Sequence, residues 1–192
     1  MFTSFLRLLL CVSLSMASPV MAYESGNYGG TSGGGSTGGL SSATTKKVVR
    51  TLKRGIKDCR RLDSVYRYDC YRQTYRLAAS YLNGRPAYSD ALVALVDVER
   101  SLERIVRRNA DPATPSVRKN FQQFQPIKPA ALPTAKAEFT KALEQAETAL
   151  LRSPETGGVH FARIAEAVHS NKVILRSRLA PGRMNAVFSQ FA

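Results

Sequence analysis

The chain has 192 residues, with 28 Lys and Arg against 14 Asp and Glu, a formal charge of +14. Apolar residues make up 44% of it, near the usual share for a globular domain, so wholesale disorder and a fibrous repeat are disfavoured. The length points to one domain with extensions rather than two packed domains.

Residues 1–22 read as a secretory signal peptide. Arg7 precedes the apolar run Leu8, Leu9, Leu10, Cys11, Val12, and Val20 and Ala22 stand three and one residues before an expected cut at Tyr23. Ser13, Ser15, Ser18 and Pro19 leave the run short of the roughly 20 apolar residues of a transmembrane helix, and no later segment reaches that length. Cys11 lies inside the run without the small residue that usually precedes a lipidated Cys, which disfavours a lipoprotein. The expected location is therefore periplasmic or secreted.

Cleavage leaves Cys59 and Cys70, and an isolated pair in an oxidising compartment is expected to form a disulfide. Their spacing matches neither a C-x-x-C redox motif nor a four-ligand zinc pattern. On one continuous helix the two would lie about 16 Å apart, whereas a bridge needs alpha carbons roughly 4.4 to 6.8 Å apart. A chain reversal is required, and Asp63-Ser64, able to cap a new helix, is its expected place.

Residues 23–43 are expected to be a flexible Gly/Ser-rich linker, because they offer almost nothing apolar to offset their ordering entropy. Residues 44–180 form the predicted helical domain. The first helix begins with Thr44 or Thr45 as its cap and carries Val48, Val49, Leu52, Ile56 and Cys59 in one sector of about 100°, with Lys46, Arg50, Lys53 and Lys57 opposite. The second spans residues 64–82 and stops at Asn83-Gly84. Its two apolar stripes, Tyr68/Tyr71/Tyr75/Leu82 and Tyr66/Cys70/Leu77/Tyr81, predict a helix sandwiched between others. The third spans residues 89–109, with Leu92, Leu95, Leu102 and Val106 against Arg100, Arg104, Arg107 and Arg108, and ends at Asp111-Pro112.

Five Pro in residues 110–133 predict an extended, structureless crossing loop, pinned to the core by Phe121, Phe124 and Ile127. A fourth helix is expected from Thr134, with Phe139, Leu143, Ala146 and Leu150 in one stripe, closed by Ser153-Pro154 and Gly157-Gly158. A fifth starts at Val159 and gathers Phe161, Ile164, Val168 and Leu175, while Val173, Ile174 and Leu175 fit either helix or strand. Pro181-Gly182 ends it, and residues 181–192 are a tail whose Phe188 and Phe191 are placed to dock. The fold class is all-α: a bundle of four or five helices with a flexible N-terminal arm and a long Pro-rich crossing loop.

The densest chemistry lies between positions 46 and 76, which hold 11 Lys or Arg and three Asp, with Tyr interleaved among the Arg. Arg forks grip phosphate or carboxylate, and Tyr rings can stack on bases or sugars. Because the Tyr fall in stripes, core packing is the expected role for them, and the plainer alternative for the charges is a solvated face. The expected anion-binding residues are Lys46, Lys47, Arg50, Lys53, Arg54 and Lys57. The partner they imply is an anionic envelope component (a lipid head group, lipopolysaccharide or wall polymer) or a protein, and nucleic acid less so.

Signals for catalysis are weak. His160 and His169 belong to no metal spacing and read as surface or boundary residues, and no G-x-S-x-G elbow occurs. Glu99 and Glu103 would be the paired carboxylates of a glycoside-cleaving site, but pairing of Glu103 with Arg107 one turn on is the simpler reading. Asn171 falls at the edge of a buried face, where its amide is expected to bond to the 110–133 loop. No cofactor, metal or catalytic residue is implied. The expected function is non-catalytic binding or scaffolding in the cell envelope; an enzyme of unrecognised type and an inhibitor or accessory subunit are the alternatives.

Overall fold

A computed structural model describes residues 39–119, 121–152 and 158–176. The expected signal peptide, the linker up to residue 38, residues 153–157 and the tail with Phe188 and Phe191 lie outside the described residues. Within them the protein is mostly helical: α1 (Ser42–Cys59), α2 (Arg67–Ser80), α3 (Ser89–Arg108), a hairpin of β1 (Val117–Lys119) and β2 (Gln122–Phe124), α4 (Leu132–Arg152) and α5 (Gly158–Arg176). Helix α1 packs on α2 and α5, α3 on α2 and α4, and α4 on α5, so the helices close a circuit around one apolar cluster.

Helix α1 starts earlier than its spacing predicts. Ser41 is the cap, its hydroxyl accepting from the Thr44 amide at 3.5 Å. Thr44 and Thr45 lie inside the helix on its buried side, so neither can cap it. Val48, Leu52, Ile56 and Cys59 are buried as the periodicity predicts.

The reversal after α1 falls where expected but closes differently. Backbone bonds from Arg61 to Asp58 and from Leu62 to Cys59 turn the chain, and Ser64–Tyr66 forms a 3-10 turn into α2. The Asp63 side chain makes no capping bond; the Arg67 Nε donor ties to the Leu62 carbonyl instead. Helices α1 and α2 thereby lie side by side, with Cys59 and Cys70 joined in a disulfide at a Cα separation of 5.5 Å. One turn further along, Gly55 meets Thr74 so closely that a Cβ at position 55 would sit 2.3 Å from Thr74 Cγ2.

On α2 the stripe of Tyr68, Tyr71, Tyr75 and Leu82 is buried. Its rings gather on Phe139 of α4, with Tyr71 stacked at 5.3 Å and Tyr68 and Tyr75 edge-on at 6.5 and 6.1 Å. Such contacts add about 0.5 to 1.5 kcal/mol each beyond area burial. Burial also pushes the hydroxyls of Tyr68 and Tyr75 well above the ordinary phenol range, so both stay neutral. Gly84, at φ +69°, supplies the left-handed residue that its position after Asn83 predicts.

The 110–133 segment is not structureless. Its five Pro all lie outside the two strands, and the Pro-free stretch between them forms an antiparallel hairpin with Val117 opposite Phe124 and Lys119 opposite Gln122. A bridge between Ala110 and Ile127 closes its base. Asp111 folds the entry into a tight turn, accepting from the Ala113 amide and the Thr114 hydroxyl, which hold its carboxyl below the usual range. Phe124 and Ile127 pin the segment to the core, but Phe121 does not: it is 104% exposed with φ +63°.

Helix α4 takes Pro133 into its first turn, where the missing N–H costs no helical bond. Helix α5 continues unbroken to Arg176, so residues 173–175 are helical. Asn171 is buried, but its partner is Tyr75 of α2, whose hydroxyl accepts from Nδ2 at 2.9 Å, rather than the loop.

Two outcomes follow from the α1–α2 contact. Replacing both Cys by Ala is expected to lower stability by about 2 to 4 kcal/mol in urea unfolding, because the bridge closes a short loop, and thiol titration of the oxidised protein should find Cys59 and Cys70 unreactive. Gly55→Ala, although helix propensity favours it, should destabilise by about 1 to 3 kcal/mol through overpacking. Combining it with Thr74→Ala should recover part of that loss; strictly additive effects would show that the close approach is not the cause.

Candidate anion-binding surface

Helix α1 turns its apolar face inward, which sends every one of the six predicted cations outward. Lys46, Lys47, Arg50, Lys53, Arg54 and Lys57 are all exposed. They are not equivalent. Lys53 Nζ pairs with Glu166 of α5 at 3.3 Å, and Lys47 Nζ stands 4.0 Å over the Tyr81 ring. Lys46, Arg50, Arg54 and Lys57 make no hydrogen bond or ion pair with the described residues. Asp58 is the helix's single acid, and it lies 3.5 Å from Arg61.

Arg54 also borders a groove of about 490 Å3 between α1, α2 and the hairpin. Arg54, Arg61 and Lys119 bring positive charge to its walls and Asp58, beside Arg61, one negative charge, while Thr51, Gln73, Thr74 and Gln122 bring hydrogen-bonding groups, and Leu62, Leu77 and Phe124 form its apolar part. Gly55 contributes bare backbone beside the disulfide. Arg61, Lys119, Gln73 and Gln122 were not among the expected site residues. Arg61 lies in the basic stretch between positions 46 and 76, but no periodic signal could have found Lys119 and Gln122, because the hairpin that carries them reaches the groove only through tertiary contacts.

Those contacts converge on Asp69. Its carboxylate is 1% exposed and accepts from Arg72 Nε at 2.7 Å, Gln73 Nε2 at 3.2 Å and the Gln125 amide at 2.9 Å. Gln73 also donates to the Gln123 carbonyl at 2.8 Å. Further along the segment, the Tyr66 hydroxyl donates to the Pro115 carbonyl and the Ile127 amide to the Val65 carbonyl. The outer edge of β2 is thus fastened to α2.

The Tyr of α2 pack in the core, as their stripes predict, and form no stacking platform. Tyr68, Tyr71 and Tyr75 belong to the core, while Tyr66 and Tyr81 are half-buried and already engaged. Glu99 and Glu103 do not work together either. Glu99 lies 3.9 Å from Arg72, joining the Asp69 network. Glu103 lines a shallow depression among Arg100, Arg104, Arg107 and Arg108 and forms no ion pair with Arg107.

Both His residues have partners that sequence reading missed. His169 and Lys172 bond to Glu147 of α4; burial opposes ionisation of that carboxyl, yet the two hydrogen bonds prevail and hold it below the usual range. His160 Nδ1 lies 2.7 Å from the Thr45 hydroxyl, which lies 2.8 Å from the Tyr88 hydroxyl. With the Tyr88 proton on the Ser41 carbonyl at 2.8 Å, Thr45 donates to Tyr88 and His160 donates to Thr45. An imidazole activates a hydroxyl only by accepting its proton, whereas here Nδ1 donates to Thr45. Thr45 is also 0% exposed, so the cluster ties the starts of α1, α3 and α5 together rather than facing a substrate. Among the described residues no cluster of His, Cys, Asp or Glu could hold a metal ion, and no helix is long and apolar enough to cross a membrane.

The chain matches no family model, no curated protein and no solved structure.

Asp69→Ala would leave Arg72 and the Gln125 amide without their acceptor. The variant is expected to lose about 3 to 5 kcal/mol in urea unfolding, as removal of one partner of a buried charge pair does, and to be cut sooner by protease within residues 110–128. Equal protection of that segment in variant and parent would show that Asp69 does not hold the hairpin.

Proposed function

We propose that the protein is a non-catalytic binding or scaffold component of the cell envelope that engages an anionic partner through the outward face of α1. The observation that carries this reading is segregation of charge. Lys46, Arg50, Arg54 and Lys57 share a helix whose opposite face is buried, and none is neutralised by a described residue. Cations held one turn apart act together on a polyanion, and release of its counterions drives the association. The groove continues this surface with Lys119, whereas Arg61 there is paired with Asp58.

In this reading a signal peptide at residues 1–22 exports the chain, and the Gly/Ser-rich segment leaves the helical domain free to reach its partner on a flexible arm. The apolar walls of the groove suit a partner that carries anionic groups next to acyl chains, as a phospholipid or lipopolysaccharide does, while a lipid head group alone or a wall polymer would engage the cations. The net charge, +14 for the whole chain and +13 once Arg7 is removed with the signal peptide, attracts any polyanion at low salt, so retention of binding at physiological salt is the measure of a specific surface.

A variant in which Arg50, Lys53 and Lys57 all become Glu is expected to lose binding to these polymers at physiological salt by more than tenfold, with affinity of the parent falling steeply as salt rises. Fluorescence anisotropy against labelled lipopolysaccharide, teichoic acid and DNA measures it. Equal binding by parent and variant would make the α1 face a solvated surface only.

A further inference from the structure

Phe121 is the residue that the fold does not account for. It is fully exposed, and φ of +63° puts a bulky aromatic in the left-handed region that favours Gly or Asn. A small polar residue would meet both conditions better, so neither backbone nor solvation in the free protein explains a Phe here.

The strand that follows it is fastened to α2. Phe124 is buried, the Gln123 carbonyl and the Gln125 amide are fixed to Gln73 and Asp69, and the tip projects from that base. Its surroundings are basic: Arg118 and Lys119 are exposed beside it, and residues 112–137 contain no Asp or Glu. Lys119 lines the same groove as Arg54 of α1, where the Arg61 charge is paired with Asp58, so cations of α1 and of the hairpin left unpaired by the described residues share one surface.

We propose that this hairpin tip docks on an anionic lipid bilayer, with Phe121 entering the interfacial layer and Arg118 and Lys119 meeting the head-group phosphates. The proposal rests on the anionic-partner reading above and names that partner as a membrane surface. Bilayer interfaces accept single aromatic rings at head-group depth and attract flanking cations. A protein interface would require a contiguous apolar core around the ring, whereas Gln122 and Gln123, its neighbours in sequence, are exposed and polar. The hairpin offers one apolar side chain on a cationic mount, which fits a bilayer.

The chain contains no Trp, so Phe121→Trp places a single reporter at the tip. Titration of the full mature chain with vesicles of mixed phosphatidylcholine and phosphatidylglycerol should blue-shift its emission and shield it from acrylamide, while pure phosphatidylcholine should do neither. Phe121→Ala should weaken co-sedimentation with the anionic vesicles about tenfold. Replacing Arg118 and Lys119 by Gln should weaken it as well. Co-sedimentation of Phe121→Trp with unshifted emission, or co-sedimentation undiminished in Phe121→Ala, would overturn the wedge while leaving anion binding by α1 intact. Binding to soluble polyanions but to no vesicle would do the same. An emission shift of the indole evoked only by an added protein would overturn it in favour of a protein partner, and no binding to any anionic probe would remove both readings.

Discussion

A carboxylate buried as deeply as Asp69 has to be compensated, and the way it is compensated organises one side of this molecule. Arg72 supplies the opposite charge from the next turn of α2, Gln73 adds a neutral donor, and the remaining lone pairs are met by the Gln125 amide from a segment more than 50 residues away. That last bond converts a local ion pair into a long-range clamp. The hairpin, the groove beneath it and the placement of Lys119 and Phe121 depend on it. Cys70 follows Asp69 in sequence, so the residue that fixes the hairpin sits beside the one that fixes α1 to α2. Groove wall and groove floor are anchored within one turn of helix.

The acids of the chain are distributed so that the excess positive charge collects on few surfaces. Glu138 pairs with Arg108 between α4 and α3, Glu144 with Arg176 and Glu147 with Lys172 between α4 and α5, and Glu166 with Lys53 between α5 and α1. Most of these pairs are exposed and contribute little to stability individually. Their consequence is electrostatic: the acids of α4 and α5 are committed to interhelical pairs, while α1 carries one Asp among its cations. Helix α1, with six Lys and Arg against that one Asp, therefore carries the largest positive surplus of the five helices.

Buried hydrogen bonds set the register of the bundle where apolar packing alone would tolerate sliding. Asn171 to Tyr75 links α5 to α2, and the Ser41–Thr45–Tyr88–His160 cluster links the starts of α1, α3 and α5. A shift of one turn would leave these polar groups unsatisfied in the interior, at a cost that apolar side chains do not impose.

Periodicity determined the helices by itself, because burial of one face against a common core requires spacing that is visible in any window of a few turns. The buried stripes of Val48, Leu52 and Ile56 and of Phe139, Leu143 and Leu150 and the exposed cations of α1 follow from that local rule, and the reversal between Cys59 and Cys70 follows from the reach of a disulfide. The hairpin did not, since its strands are three residues each and framed by Pro, too short for an alternating pattern to rise above the loop signal. The partners of Asp69, Asn171 and His160 were likewise undetermined, because a polar residue on a helix specifies that it needs a hydrogen bond but not which distant atom provides it. Phe121 makes the limit plain: hydrophobicity placed it in the core, and only the fold, by burying Phe124 and Ile127 and setting position 121 at the tip between the two strands, turned it outward into solvent.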